Sequence, residues 1–272
     1  MGSVVRTVAG LVVAALVALP VAACGGGEEG RSLPDVVRDA VEQAREQVRE
    51  ATGEIGSRGN EQRTPIRNDT KTAFEYEEYE RLVGQVIGSL ETYWARTMPA
   101  ELGAPYPGNP SGYFYYRPEE RPGPSCGGER APPRNAFYCP AGDFIAWDEP
   151  GLLIPYYIRG DFAAAYVLAH EFGHAIQARL PEERQVQVTI LRELQADCLA
   201  GAWTRSIEEQ KLLQAGDLDE AVAGIYTGRD VPGTAFTDPR AHGSGFQRIR
   251  AFGDGYEGGP RECLRPDWVV DG

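Results

Sequence analysis

The sequence predicts an α+β fold: a mainly helical domain with a small antiparallel sheet ahead of the helix that carries its most distinctive motif. Three observations lead there. Apolar residues recur at helical spacing over residues 75–97 and again from residue 161 onward. Between these stretches Pro and Gly break the chain around runs of aromatic residues, the mark of short strands. The 272 residues are 42% hydrophobic and 25% charged, enough to bury a sizeable core.

The elements follow in order. Arg6 is the only charge before Glu28, and Val8 to Ala23 is apolar or small. That run is shorter than the roughly 20 residues of a bilayer-spanning helix. A basic start, an apolar stretch and small residues at its end describe a secretory signal over residues 1–23. Its last residues, Val21-Ala22-Ala23-Cys24, resemble the bacterial lipobox. The resemblance implies cleavage before Cys24, lipid on its thiol, and an extracytoplasmic protein anchored to the bacterial cell membrane. Residues 24–72 then read as a Gly-rich tether, a stalk helix over Pro34–Ala51 and a Gly/Arg/Asn/Thr-rich linker from Thr52 to Thr72.

Residues 73–272 form the expected domain. Tyr79, Leu82, Val83, Val86, Ile87, Leu90 and Trp94 give Glu75–Thr97 a wide apolar face, with Pro99 as its stop. Tyr113–Tyr116 and Asp143–Asp148 are the strand candidates. Asp161 is placed to cap a helix over Phe162–Leu180, and Pro181 with Glu182 and Glu183 to open another that runs to about Leu213. A shorter helix covers Asp219–Tyr226 and a last one starts near Gly243.

Charge and cysteine content narrow the functional classes. The net charge is −13, and removal of a leader carrying only Arg6 makes it −14. Such a surface gives no field to attract phosphate, so no nucleic-acid partner is expected. Besides Cys24 there are Cys126, Cys139, Cys198 and Cys263, an even count that outside the cytosol reads as two disulfides. The short Gly/Pro-rich stretch favours Cys126 with Cys139, leaving Cys198 with Cys263; the alternative keeps Cys198 as a buried thiol.

The chemistry sits in His170-Glu171-Phe172-Gly173-His174, two of the chain's three histidines in an H-E-x-x-H. Residues four apart share a helix face, so both imidazoles can hold one ion while Glu171, one step round, reaches a water on it. With 3 histidines in 272 residues the pattern arises by chance in roughly three such chains per thousand. Two neutral imidazoles, a carboxylate and an open position suit one Zn2+. Further along the same helix Gln177 and Leu180 supply no third histidine. The next helix supplies Glu193 and Asp197, four apart among Ala and Leu, where bare acids would be costly. Glu193 is assigned as third ligand and Asp197 as acceptor for a ligand histidine's other N–H; the reversed assignment is the alternative. Gly173 leaves room for the close approach of another segment or the substrate. His242, the third histidine, is the candidate donor to an oxyanion, with Arg248 orienting the helix or a carboxylate. A histidine that caps a helix is the other reading, and Tyr226 and Tyr256 are rival donors.

HEFGHAIQ, ELQADCLAGAW and HGSGFQRIRAF, preceded by NAFYCPAGDFIAWD, resemble the neutral zinc metallopeptidases of bacteria from about Tyr113 to Cys263. The resemblance implies a zincin-like domain, zinc on His170, His174 and Glu193, and Glu171 as base. It further implies a metalloendopeptidase that cuts peptide or protein substrates with a zinc-bound water activated by Glu171. In zincins the strand before the active helix commonly lines the cleft and pairs with extended substrate, and Asp143–Asp148 stands in that place. Gly245 and Phe246 depart from the small polar and acidic residues expected before Gln-Arg. The alternative function is a zinc-stabilised envelope binding or assembly lipoprotein without significant turnover.

Overall fold

A computed structural model describes residues 74–264 except position 239. The leader, Cys24, the stalk helix and the linker expected above lie outside the described residues.

The periodic stretch after Glu75 forms helix α1, Tyr76–Thr97, which buries Tyr79, Val83, Val86, Leu90, Tyr93 and Trp94 at spacings of three and four. Pro99 does not stop the chain at once. It falls in the first turn of a wider π-helical segment, Met98–Leu102, where its missing N–H costs nothing, and Gly103 closes the turn at φ 62°.

Five strands follow: β1 Gly112–Tyr116, β2 Ser125–Cys126, β3 Glu129–Arg130, β4 Ala136–Cys139 and β5 Phe144–Asp148. The sheet is mixed, which corrects the antiparallel expectation. Its order is β1-β5-β4, with β5 antiparallel to β4 and parallel to β1. Parallel neighbours need a long connection, and here the β2–β3 hairpin and β4 lie between β1 and β5. The Cys126–Cys139 disulfide fastens that hairpin to β4.

After β5 the Asp148 side chain accepts the Gly151 N–H, and a π-helical turn leads into α2, Ile154–Arg159. Helix α3, Asp161–Gln177, is buried on nearly every side, as its run of Ala, Phe, Val and Leu requires. Asp161 is not its cap. Gly160 holds that position, and Glu220 Oε2 accepts the Phe162 N–H instead. The next helix also starts later than expected. Glu182–Arg184 forms a single 3-10 turn, the chain extends, and α4 runs Thr189–Glu209. Gln185-Val186-Gln187-Val188 is the reason, because alternating β-branched residues resist the helix. Helices α5, Asp217–Thr227, and α6, Gly245–Gly258, complete the domain.

Helices α1, α4 and α5 pack on α3, and α6 packs along α4. The α4–α6 contact is close because it is built on glycine. A Cβ on Gly201 would strike the Phe252 carbonyl, and one on Gly255 would strike the Cys198 carbonyl. The Cys198–Cys263 disulfide seals the same seam. Among the described residues no helix is long and apolar enough to cross a membrane.

Candidate metal centre

Two helices build the centre. Helix α3 places His170 and His174 one turn apart, with ring centroids 4.8 Å from each other. Helix α4 places Glu193 against both: Oε2 lies 3.2 Å from His170 Nε2 and Oε1 lies 3.4 Å from His174 Nε2. One donor atom from each of the three comes within 4.8 Å of the others. The helices approach this closely because position 173 has no side chain. A Cβ there would sit 3.0 Å from the Cα and carbonyl oxygen of Ala196.

Both rings are oriented from behind. His170 Nδ1 lies 2.8 Å from Asp197 Oδ1, which only accepts, so Nδ1 carries the hydrogen. His174 Nδ1 lies 2.9 Å from Gln177 Oε1, and the Gln177 amide nitrogen is spent on the Arg192 carbonyl. His174 Nδ1 is therefore also the donor, since the Gln177 oxygen only accepts. Each ring therefore turns Nε2 toward Glu193, as a shared cation needs. Two imidazole nitrogens and a carboxylate in reach of one point are a donor set that fits zinc.

Asp197 is fully buried and does not stand alone. Arg248 from α6 donates through Nε to Oδ2 at 2.8 Å and through Nη2 to Oδ1 at 3.0 Å. Tyr166, one turn before His170, accepts from Arg248 Nη2 and donates to Asp197 Oδ1. Burial alone would raise the Asp197 carboxyl, but Arg248 and His170 outweigh it and hold it at about 2. Burial likewise opposes charge on His170, yet Asp197 and Glu193 raise it to about 10. Glu193 is held well below the usual carboxylate range, because both histidines overcome its burial. Arg248 thus orients a carboxylate. Gln177 and Tyr166 were not singled out in the sequence, although Gln177 stands three residues after His174 and Tyr166 four before His170.

The centre opens into a cleft of about 490 Å3. Glu171 and His242 line it, as do residues 134–138 at the start of β4. Strand β5 is central and paired on both sides, so Asp143–Asp148 cannot take up a substrate strand. The free edge beside the cleft belongs to β4, which lies in the stretch broken by Pro and Gly where only Tyr113–Tyr116 stands out as a strand in the sequence. The His242 ring is half exposed, with Nδ1 3.6 Å from Asp230 Oδ1. It does not cap α6. Ser244 does, accepting the Gln247 N–H while Gln247 Oε1 accepts the Ser244 N–H. Tyr226 and Tyr256 lie outside the residues lining the cleft.

Comparison with known proteins adds three findings. A family model described as "putative neutral zinc metallopeptidase" matches residues 46–264. The uncharacterized protein YpfJ of Escherichia coli is 36% identical over 155 residues, covering 47% of this chain and 52% of its own length. The uncharacterized protein Rv2575 of Mycobacterium tuberculosis is 31% identical over 156 residues, covering 47% of this chain and 53% of its own. The chain thus spans about half the length of these curated relatives. No solved structure matches.

Proposed function

The chain belongs to the neutral zinc metallopeptidase family, and from that premise we propose that it is a zinc-dependent endopeptidase acting at the outer face of a bacterial membrane. The observation that carries the reading is the convergence of His170, His174 and Glu193 at the floor of a cleft that Glu171 also lines. Those three residues would hold the ion. Zinc, when bound there, would supply an acidified water and polarisation of a peptide carbonyl.

The protein's own groups do the rest. Glu171 takes the proton of the attacking water and delivers it to the leaving amine. Asp197, with Arg248 and Tyr166 behind it, keeps the His170 ring from turning, and Gln177 does the same for His174. An extended peptide lies along the free edge of β4, whose backbone groups bind it with little regard to sequence. His242, on the cleft wall, is the candidate donor to the developing oxyanion. A thioether-linked lipid at Cys24 anchors the protein.

Zinc-loaded wild-type protein is expected to cut members of a mixed peptide library. Glu171→Gln is expected to keep one zinc and lose at least about a hundredfold in rate. Cleavage by neither protein, with equal binding of envelope partners by both, would leave a binding lipoprotein in place of the enzyme. Cys24→Ser is expected to move the protein from the membrane fraction to the medium or periplasm, and retention on membranes refutes the anchor.

A further inference from the structure

With a divalent ion bound, the charges around the cleft would not cancel. Glu171 and Glu193 are the carboxylates among its lining residues, and a divalent ion would offset both. Arg248 is neutralised by Asp197. That leaves Arg134 and Arg192, which also line the cleft and pair with no carboxylate among the described residues. In a chain of net charge −13, the ion-loaded cleft would therefore be a local cationic island.

Both arginines occupy positions that local energetics would give to another residue. Arg134 sits at φ 56°, in the left-handed region that favours glycine. Its N–H is held 2.7 Å from Oδ2 of the buried Asp148, which clamps the segment entering β4. Arg192 lies in the first turn of α4, where the helix's own positive end opposes a cation and no acid in that turn answers it. Its carbonyl accepts from Gln177, so its backbone is tied to the support of His174. Both residues thus sit on anchored backbone, Arg134 just before the strand with the free edge and Arg192 directly before Glu193 in the chain.

We infer that this cleft selects peptides by a carboxylate near the bond to be cut, with Arg134 and Arg192 as the residues that read it. The inference rests on the peptidase reading and names its substrate class: acidic peptides. A planar guanidinium binds a carboxylate through two parallel hydrogen bonds, which an amide of the same shape cannot match. The carboxylate can be an acidic side chain or the end of a chain.

Paired peptides test this. Any peptide that the zinc-loaded protein cuts is made with Glu or Gln flanking the cleaved bond, each as free acid and as C-terminal amide. The Glu form is expected to exceed the Gln form about tenfold in kcat/KM. That ratio should shrink in Arg134→Gly, which keeps the backbone conformation, and in Arg192→Gln, and recover in part in Arg134→Lys. It should also shrink as salt rises. A preference for free acid over amide, with no preference for Glu, assigns the carboxylate to the chain end. Equal cleavage of all four forms overturns the inference and leaves the peptidase reading standing. If nothing is cut, fluorescence anisotropy with the zinc-loaded Glu171→Gln protein decides. Tighter binding of the acidic forms, lost in the arginine variants, upholds the selectivity and removes the enzyme; equal binding removes the selectivity.

Discussion

At His170 a buried imidazole, a buried carboxylate and a buried guanidinium meet. Burial disfavours charge on the ring, but the Asp197 and Glu193 carboxylates prevail and raise it to about 10. Metal binding is therefore expected to release the Nε2 proton, while Nδ1 keeps its hydrogen toward Asp197. The sign follows: below the raised value, protons compete with metal, and affinity falls as pH falls. Zinc affinity is expected to weaken about tenfold for each unit of pH below neutrality, with about one proton released per ion near pH 7. Calorimetry in buffers of different ionisation heat measures that release; none at pH 7 would show that His170 is already neutral. At this scale much was legible. Two histidines four apart and two acids four apart each define one helix face, and helix geometry alone brings such pairs together. Gln177 and Tyr166 were not legible, because their roles depend on which segment packs opposite them.

Helices were read from their own periodicity, whereas strand pairing and helix packing depend on distant chain. The Phe162–Gln177 core stripe declares itself locally, but nothing within Phe144–Asp148 says that it is a central strand. The late start of α4 was readable in Gln185–Val188, where Pro181 and two acids drew the boundary too early. The glycines of α4 and α6 carry the opposite lesson. Gly201 and Gly255 lower helix propensity, by about 1 kcal/mol each, and this makes sense only at a contact where backbones nearly touch. Gly255→Ala sets the two effects against each other. The helix gains about 1 kcal/mol, but the new methyl collides with the Cys198 carbonyl, which cannot swing aside as a side chain could. Overpacking of this kind costs about 1–3 kcal/mol and here should win. Thermal unfolding is expected to show a lower Tm, and a higher one would mean that the α4–α6 seam is looser than it stands. A second readout locates the damage: because Asp197 precedes Cys198, zinc affinity should fall with stability.

Across the whole domain, the two disulfides look alike thermodynamically and differ in what they hold. Cys126–Cys139 closes a loop of separation 13 and Cys198–Cys263 one of separation 65. Loop-closure entropy assigns them about 3 and about 4 kcal/mol, a gap too small to tell their purposes apart. Position does so. Cys139 ends β4, so its bridge steadies the sheet edge beside the cleft. Cys198 follows Asp197 on α4, and Gln195 Nε2 donates to the Cys263 carbonyl at 2.9 Å, so that bridge steadies the helix carrying Glu193. Paired serine substitutions should therefore separate binding from metal. Without Cys126–Cys139, the protein is expected to keep one zinc and to raise KM, since the edge is no longer fixed. Without Cys198–Cys263, zinc affinity and Tm should fall together, and added zinc should recover part of the Tm by mass action. Zinc stoichiometry, Tm and KM on the two variants check the division. Equal zinc loss from both would mean that the sheet and the α3–α4 pair unfold as one unit, and the edge strand would then be a support for the metal as well as for the substrate.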